Sequence, residues 1–96
     1  MYRITDYTKY QAKRIGVTVK PSTVKGKKID VFKDGKKVAS VGAAGMGDYP
    51  IFMLEERQGK RPEGFAKKRR KAYKSRHQKN RVIRGTTGWY ADQLLW

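Results

Sequence analysis

The chain has 96 residues, which suffices for one small domain that leaves much of its surface in water. Its 24 Lys and Arg against 8 Asp and Glu give a formal charge of +16, which predicts nucleic acid, anionic lipid or acidic protein as a neighbour. The lack of cysteine excludes disulfides and thiolate metal sites and fits an intracellular origin. No apolar run approaches the ~20 residues of a membrane span, and we expect no signal peptide.

The apolar content predicts a fold of low stability. Leu, Ile, Val and Phe number eighteen, which together with the high charge lies on the disordered side of the usual compositional boundary. Aromatic residues make up 11% of the chain, and each can bury a large area. We therefore expect one domain over residues 1–96 that gains order inside a larger assembly, with an ordinary soluble basic domain as the alternative.

Residues 1–49 are predicted to form a short helix followed by a small antiparallel sheet. Either Thr5 or Asp6 caps the helix and Gly16 ends it, and a short strand follows at residues 17–19.

The strongest local signal is a β-hairpin. The apolar segments 29–32 and 38–41 flank an Asp-Gly dipeptide at residues 34–35, which is typical of tight hairpin turns. A two-residue turn would pair Val31 with Val38, whereas a three-residue loop with a bulge at the glycine would shift that register by one.

The segment after the hairpin is rich in glycine, at residues 42–47. A phosphate-binding glycine loop leads into a helix with specific spacing, which is missing here, so we predict a structural loop. Residues 51–54 are a short apolar run of undetermined type, and residues 50–96 are predicted to carry a basic helix and an aromatic C-terminal segment.

The basic helix is predicted to run without interruption over residues 65–84, because this stretch has no Gly or Pro and favours helix. Glu63 is placed to favour its N-terminus. Its apolar side is narrow and consists of Phe65, Ala66, Ala72, Tyr73 and His77. Ten cations on the other sides are predicted to contact nucleic acid or an acidic partner: Lys67, Lys68, Arg69, Arg70, Lys71, Lys74, Arg76, Lys79, Arg81 and Arg84.

Contact with nucleic acid would be made to phosphates with little sequence information, since Tyr73 alone is no base-reading platform. Five lysines around the hairpin form either a second basic edge or an edge protected from aggregation: Lys27, Lys28, Lys33, Lys36 and Lys37.

The last eight residues contain no basic side chain and are predicted to form a short helix capped by Thr86 or Thr87. The segment is predicted to be an anchor that packs either onto this domain or into a neighbouring protein. The anchor residues are Trp89, Tyr90, Leu94, Leu95 and Trp96.

No catalytic or metal-binding pattern is present in the sequence, so we predict a protein that is not an enzyme and needs no cofactor, metal or small-molecule ligand. His77 is the only histidine, which leaves a metal site or hydrolytic triad without its other members. The adjacent Glu55 and Glu56 are expected to be solvated or to pair with Arg57.

Several motifs resemble a family of small basic proteins encoded by nucleocytoplasmic large DNA viruses. They are Lys-Pro-Ser at residues 20–22, Asp-Val-Phe and Gly-Lys in the hairpin, Gly-Asp-Tyr at 47–49, Arg-Arg-Lys-Ala-Tyr, Arg-His, Gly-Trp-Tyr and the closing Leu-Leu-Trp. The resemblance extends from about Gly16 onward, and it implies a virus-encoded protein carried in the particle. The family has no assigned catalytic role.

Two functions follow from the residues and the resemblance together. The first is a minor capsid or cement component in the particle interior, which folds against larger shell proteins with its basic helix facing genome or acidic protein. The second is a sequence-independent nucleic-acid-binding protein that coats or condenses viral DNA. In the infected cell, either protein would be found in the cytoplasm or nucleus.

Overall fold

A computed structural model describes residues 2–96 and confirms the α+β architecture, with helices at both ends of the chain and an antiparallel sheet between them. In chain order the elements are α1 (Asp6–Ile15), β1 (Thr18–Pro21), β2 (Lys27–Lys33), β3 (Lys36–Ala43), α2 (Tyr49–Arg57), α3 (Phe65–Arg76), α4 (Gln78–Arg81) and α5 (Thr87–Leu95). The apolar run at residues 51–54, whose type the sequence left open, lies within α2.

The three strands pair in the order β1-β2-β3. At the hairpin Lys33 faces Lys36, so the turn has two residues, both with positive φ as a type I′ turn requires. A bulge between Val31 and Phe32 then places Val31 opposite Ala39 instead of Val38. The structure thus combines a two-residue turn with a one-residue shift of the register. Each of the two alternatives predicted from the sequence contained only one of these features.

One face of the sheet carries the main core. Strand residues alternate between the two faces, so Ile29, Val31 and Val41 lie on the same side and are almost fully buried. Helices α1 and α5 cover this side, and α5 contributes Leu94 and Leu95 to the same cluster. The hydroxyl of Thr8 in α1 donates a hydrogen bond to the Leu94 carbonyl at 2.9 Å, which ties the two helices together.

The helix caps follow the local sequence closely. Thr5 rather than Asp6 caps α1, since its side-chain oxygen accepts a hydrogen bond from the Thr8 N–H, and Gly16 ends the helix with φ 76°. Thr86 caps α5 by accepting from the Trp89 N–H. Asp48 caps α2, where its carboxylate accepts from the Ile51 N–H at 3.0 Å.

A second, aromatic cluster joins α2, α3 and the C-terminus. Phe52 of α2 meets Phe65 edge-on with ring centroids 5.2 Å apart, and it also meets Trp96 at 6.2 Å. Trp96 stacks on Tyr73 of α3. This cluster holds the basic helix against the rest of the domain, because α3 has few other apolar side chains.

The predicted basic helix over residues 65–84 is wrong in its length. Helix α3 ends at Arg76, and His77 leaves helical geometry with φ −107° and ψ 22°. Near this end the Lys74 carbonyl accepts a hydrogen bond from Arg81 Nε at 3.2 Å. The segment after His77 forms the separate short helix α4, and this hydrogen bond joins α4 to the end of α3.

The start of α3 also differs in detail from the expectation. The backbone N–H of Ala66 donates to the Glu56 carboxylate at 2.9 Å, so the acid at this helix N-terminus comes from α2. Glu63, which the sequence placed there, is exposed. The hydrogen bonds from the Ala66 and Gly64 N–H groups lower the pKa of Glu56.

Candidate nucleic-acid interface

Seven of the ten cations predicted for the interface are exposed on α3, on α4 and in the turn that follows. They are Lys67, Lys68, Arg69, Lys71, Arg76, Lys79 and Arg84. They reach solvent because the inner side of α3 carries Ala66 and Tyr73, and His77 extends this side just past the end of the helix. The remaining positions of the helix therefore form one broad basic surface, which we call the basic face.

The other three cations are half-buried and belong to the domain's own packing. The Arg70 guanidinium lies 4.8 Å from the centroid of the Tyr49 ring, which is cation–π geometry. Lys74 Nζ lies 2.9 Å from a carboxylate oxygen of Asp92, and Arg81 lies 3.8 Å from the other oxygen. These side chains hold α3 and α4 against α2 and α5 and are not free for a partner.

Most of the carboxylates are engaged within the domain, so few acidic side chains remain free at the surface. Asp30, Asp48 and Asp92 are buried. Glu56 caps α3, and Glu55 pairs with Arg61, whereas the sequence predicted that the two glutamates are solvated or pair with Arg57. The exposed acids are Asp6, Asp34 and Glu63, all outside α3 and α4.

Asp30 illustrates how a carboxylate is held on the polar face of the sheet. Its Oδ1 accepts hydrogen bonds from the hydroxyls of Ser22 at 2.5 Å and Ser40 at 2.6 Å. These hydrogen bonds, with a further one from the Thr23 N–H and the nearby charge of Lys37, lower the pKa of Asp30 to about 2. The carboxylate therefore stays ionised at any ordinary pH.

Lys28 is not part of the second basic edge that the sequence left open. It is buried, and its Nζ lies 2.8 Å from Asp48 Oδ2. The Tyr2 hydroxyl donates to the same oxygen at 2.8 Å, and burial together with this carboxylate raises the pKa of Tyr2. The other four lysines of that group are exposed: Lys27, Lys33, Lys36 and Lys37.

A groove lies beside the basic face, between the glycine-rich loop at residues 42–47, helices α3 and α4, and α5. Its cavity volume is about 720 Å³. Arg69, Arg76 and Lys27 line it together with apolar side chains that include Met46 and Ile83.

Tyr73 stands in the wall of this groove with aromatic neighbours close to its ring. Trp96 stacks on it with a centroid distance of 4.2 Å and an interplanar angle of 5°, while the His77 ring lies 4.3 Å away at 33°. His77 therefore packs on Tyr73, as the helical spacing predicted. With these two rings against it, Tyr73 is part of the packed wall instead of a free platform for base stacking.

The predicted C-terminal anchor packs onto its own domain. Tyr90, Leu94 and Leu95 are buried in the main core, while Trp89 and Trp96 are half-buried against it. Of the two alternatives that the sequence left open for this segment, the structure shows the intramolecular one. Buried side chains of this kind are unavailable to a neighbouring protein unless the domain opens.

Within residues 2–96 no helix has the length and apolar character needed to cross a membrane. Over the same residues no group of three or more His, Cys, Asp or Glu side chains is arranged to hold a metal ion. No family model matches the chain, and comparisons with curated proteins and with solved structures found no match.

Proposed function

We propose that this protein binds nucleic acid independently of sequence, through contacts between phosphates and the basic face of α3 and α4. The observation that carries the proposal is the separation of charge in the fold: seven cations of this segment are exposed, while the exposed acids lie elsewhere. An uncompensated basic surface of this density favours a polyanion because counterions are released from the nucleic acid on binding.

The dimensions of the helix fit this role. Helix α3 has 12 residues, so it is about 18 Å long. Duplex DNA carries one charge per ~1.7 Å, so about ten phosphate charges occur over the same length. Several side chains can therefore meet phosphates together. Since the exposed residues are mainly Lys and Arg, they set affinity and position without reading bases.

Binding of the purified chain to a duplex at about 50 and 200 mM salt tests the proposal. The logarithm of the binding constant falls as the logarithm of the salt concentration rises, and each lost phosphate contact makes this negative slope less steep by ~0.9. The test variant replaces Lys68, Lys71 and Lys79 with Gln. The matched control replaces Lys9, Lys13 and Lys25, which are also exposed but lie outside the basic face.

Both variants lose the same net charge, so a difference between them reports where the charges lie. Only the first variant should make the salt dependence less steep, by about 2–3 in the magnitude of the slope. Equal effects of the two variants would mean that binding depends on net charge alone. Lack of salt-sensitive binding by the unmodified chain would refute the proposal.

A second candidate is the minor capsid or cement component to which the viral resemblance points. The observation that favours it is a set of exposed apolar side chains near the basic face: Met46 at 65%, Val82 at 57% and Ile83 at 57% exposure. A larger shell subunit could cover them. Stoichiometric presence of the chain in purified, nuclease-treated shells would support this function, and release of the chain by nuclease would count against it.

A further inference from the structure

We propose that the groove beside the basic face receives an unpaired nucleotide, so that the protein prefers single-stranded nucleic acid to duplex. This inference rests on the proposed nucleic-acid binding and adds the form of the nucleic acid to it. The groove is continuous with the basic face, because Arg69 and Arg76 belong to both.

The charge of the groove matches an anionic occupant. Arg69, Arg76 and Lys27 line it, and each is exposed. The one acidic side chain among the lining residues, Asp48, is buried and already bound by Lys28 Nζ at 2.8 Å. A phosphate at the rim therefore meets cations with no competing acidic side chain.

The interior of the groove suits a flat, largely apolar group. Apolar residues that include Met46, Ile83 and Ala91 line it, together with the aromatic residues Tyr73, His77 and Trp96. A cavity volume of about 720 Å³ lies within the ~300–1,000 Å³ of typical ligand pockets. An unpaired base can leave its strand and enter such a space, whereas a base held in a duplex exposes only its edges.

The occupant is thus expected to place its base against Ile83 and Met46, next to Trp96 and His77, while its phosphates contact the arginines. Contact between bases and aromatic side chains tolerates any sequence, since every base has a π face. The inference therefore keeps the binding independent of sequence while giving it a preference for single strands.

The experiment compares a short oligothymidylate with a duplex of equal length, using the full chain. Fluorescence is read in a Trp89→Phe background, which leaves Trp96 as the single tryptophan and so reports on the groove. Oligothymidylate should change the Trp96 emission and bind more tightly than the duplex at about 200 mM salt.

Two matched pairs of variants locate the contact. Ile83→Ser alters the groove, while Val82→Ser alters an equally exposed neighbour that does not line it. Arg76→Gln and Lys79→Gln remove one charge each, inside and outside the groove. The two groove variants, Ile83→Ser and Arg76→Gln, should weaken oligothymidylate binding about fivefold or more. Their duplex binding should stay within about twofold of that of the corresponding control variant. Circular dichroism should show that both variants fold normally.

Each outcome separates the two proposals. If oligothymidylate and duplex bind equally and the paired variants behave alike, the groove inference is overturned and the proposed function stands. If neither nucleic acid binds, both fail. If Ile83→Ser abolishes self-association of the chain without a selective effect on oligothymidylate, the groove holds protein and the inference is again overturned.

Discussion

Tyr73 and Trp96 lie face to face, with ring centroids 4.2 Å apart and planes only 5° from parallel. Tyr73 lies in the last turn of α3, and Trp96 follows the helix whose leucines enter the main core. The stack therefore connects the most cationic element of the chain to its most apolar one. Without this connection, α3 would be held by its contacts with α2 and by the ion pair between Lys74 and Asp92 of α5.

Trp96→Ala should lower the free energy of unfolding by about 2–3 kcal/mol, because it removes a half-buried aromatic side chain and its stack on Tyr73. Tyr10→Ala serves as the control, since Tyr10 is 67% exposed and should change stability by less than ~0.5 kcal/mol. Urea denaturation followed by circular dichroism measures both. Equal effects would show that the stack contributes little.

Truncating the leucines of α5 should be more harmful than neutralising the basic face. Leu94→Ala and Leu95→Ala each leave a cavity in the main core and should cost about 2–5 kcal/mol. Lys68→Gln and Lys71→Gln change exposed positions and should stay within ~0.5 kcal/mol. Thermal melts of the four variants test this order, and the reverse order would contradict the intramolecular packing of α5.

Lys28 and Asp48 should show strong coupling in a double-mutant cycle. Their side chains are 5% and 1% exposed, so Asp48→Asn leaves a buried ammonium without its counter-charge and should cost about 3–5 kcal/mol. The double variant with Lys28→Met should be less destabilised than the sum of the single variants, because both charges are then absent. Additive losses in denaturant titrations would indicate that the pair is uncoupled.

Asp30 should contribute to acid sensitivity in a defined pH range. Its pKa is about 2 in the folded chain against an ordinary 3.8, so its contribution is complete above about pH 4 and is lost as the pH falls toward 2. Ser40→Ala removes one of the hydrogen bonds and should raise this pKa, which makes stability depend less on pH between 2 and 4.

Ser75→Ala is the matched control for this prediction, since Ser75 is an exposed serine on α3. NMR titration of the Asp30 carboxyl and urea unfolding across this pH range provide the two measurements. An unchanged Asp30 pKa in Ser40→Ala would show that the Ser40 hydroxyl does not stabilise the ionised form.

The parts of the fold that the sequence predicted have short-range causes. The Asp-Gly turn needs two residues with positive φ, Gly16 ends α1 through a left-handed conformation, and Thr86 caps α5 three residues before the N–H it binds. Each of these signals acts over a few residues, so it can be read from the chain without tertiary information.

The parts that the sequence missed depend on distant partners. Arg70 and Lys74 look like members of a solvated charge run, but Tyr49 and Asp92 draw them inward from other elements. The break at His77 has no Gly or Pro to mark it, and the Arg81 side chain joins the two helices across it through the Lys74 carbonyl. The groove could not be predicted because its walls come from widely separated segments. Low stability of the isolated chain stays a prediction.

Under the proposed function, the sheet edges have a further consequence. Mutual repulsion keeps chains of such high charge apart in solution, but bound phosphates would cancel it and crowd many copies together. Strand pairing between copies is then opposed by features that do not depend on charge: the bulge beside Val38 on one edge strand and Pro21 on the other. Crowded copies should therefore stay as separate folded units and not convert to fibrils.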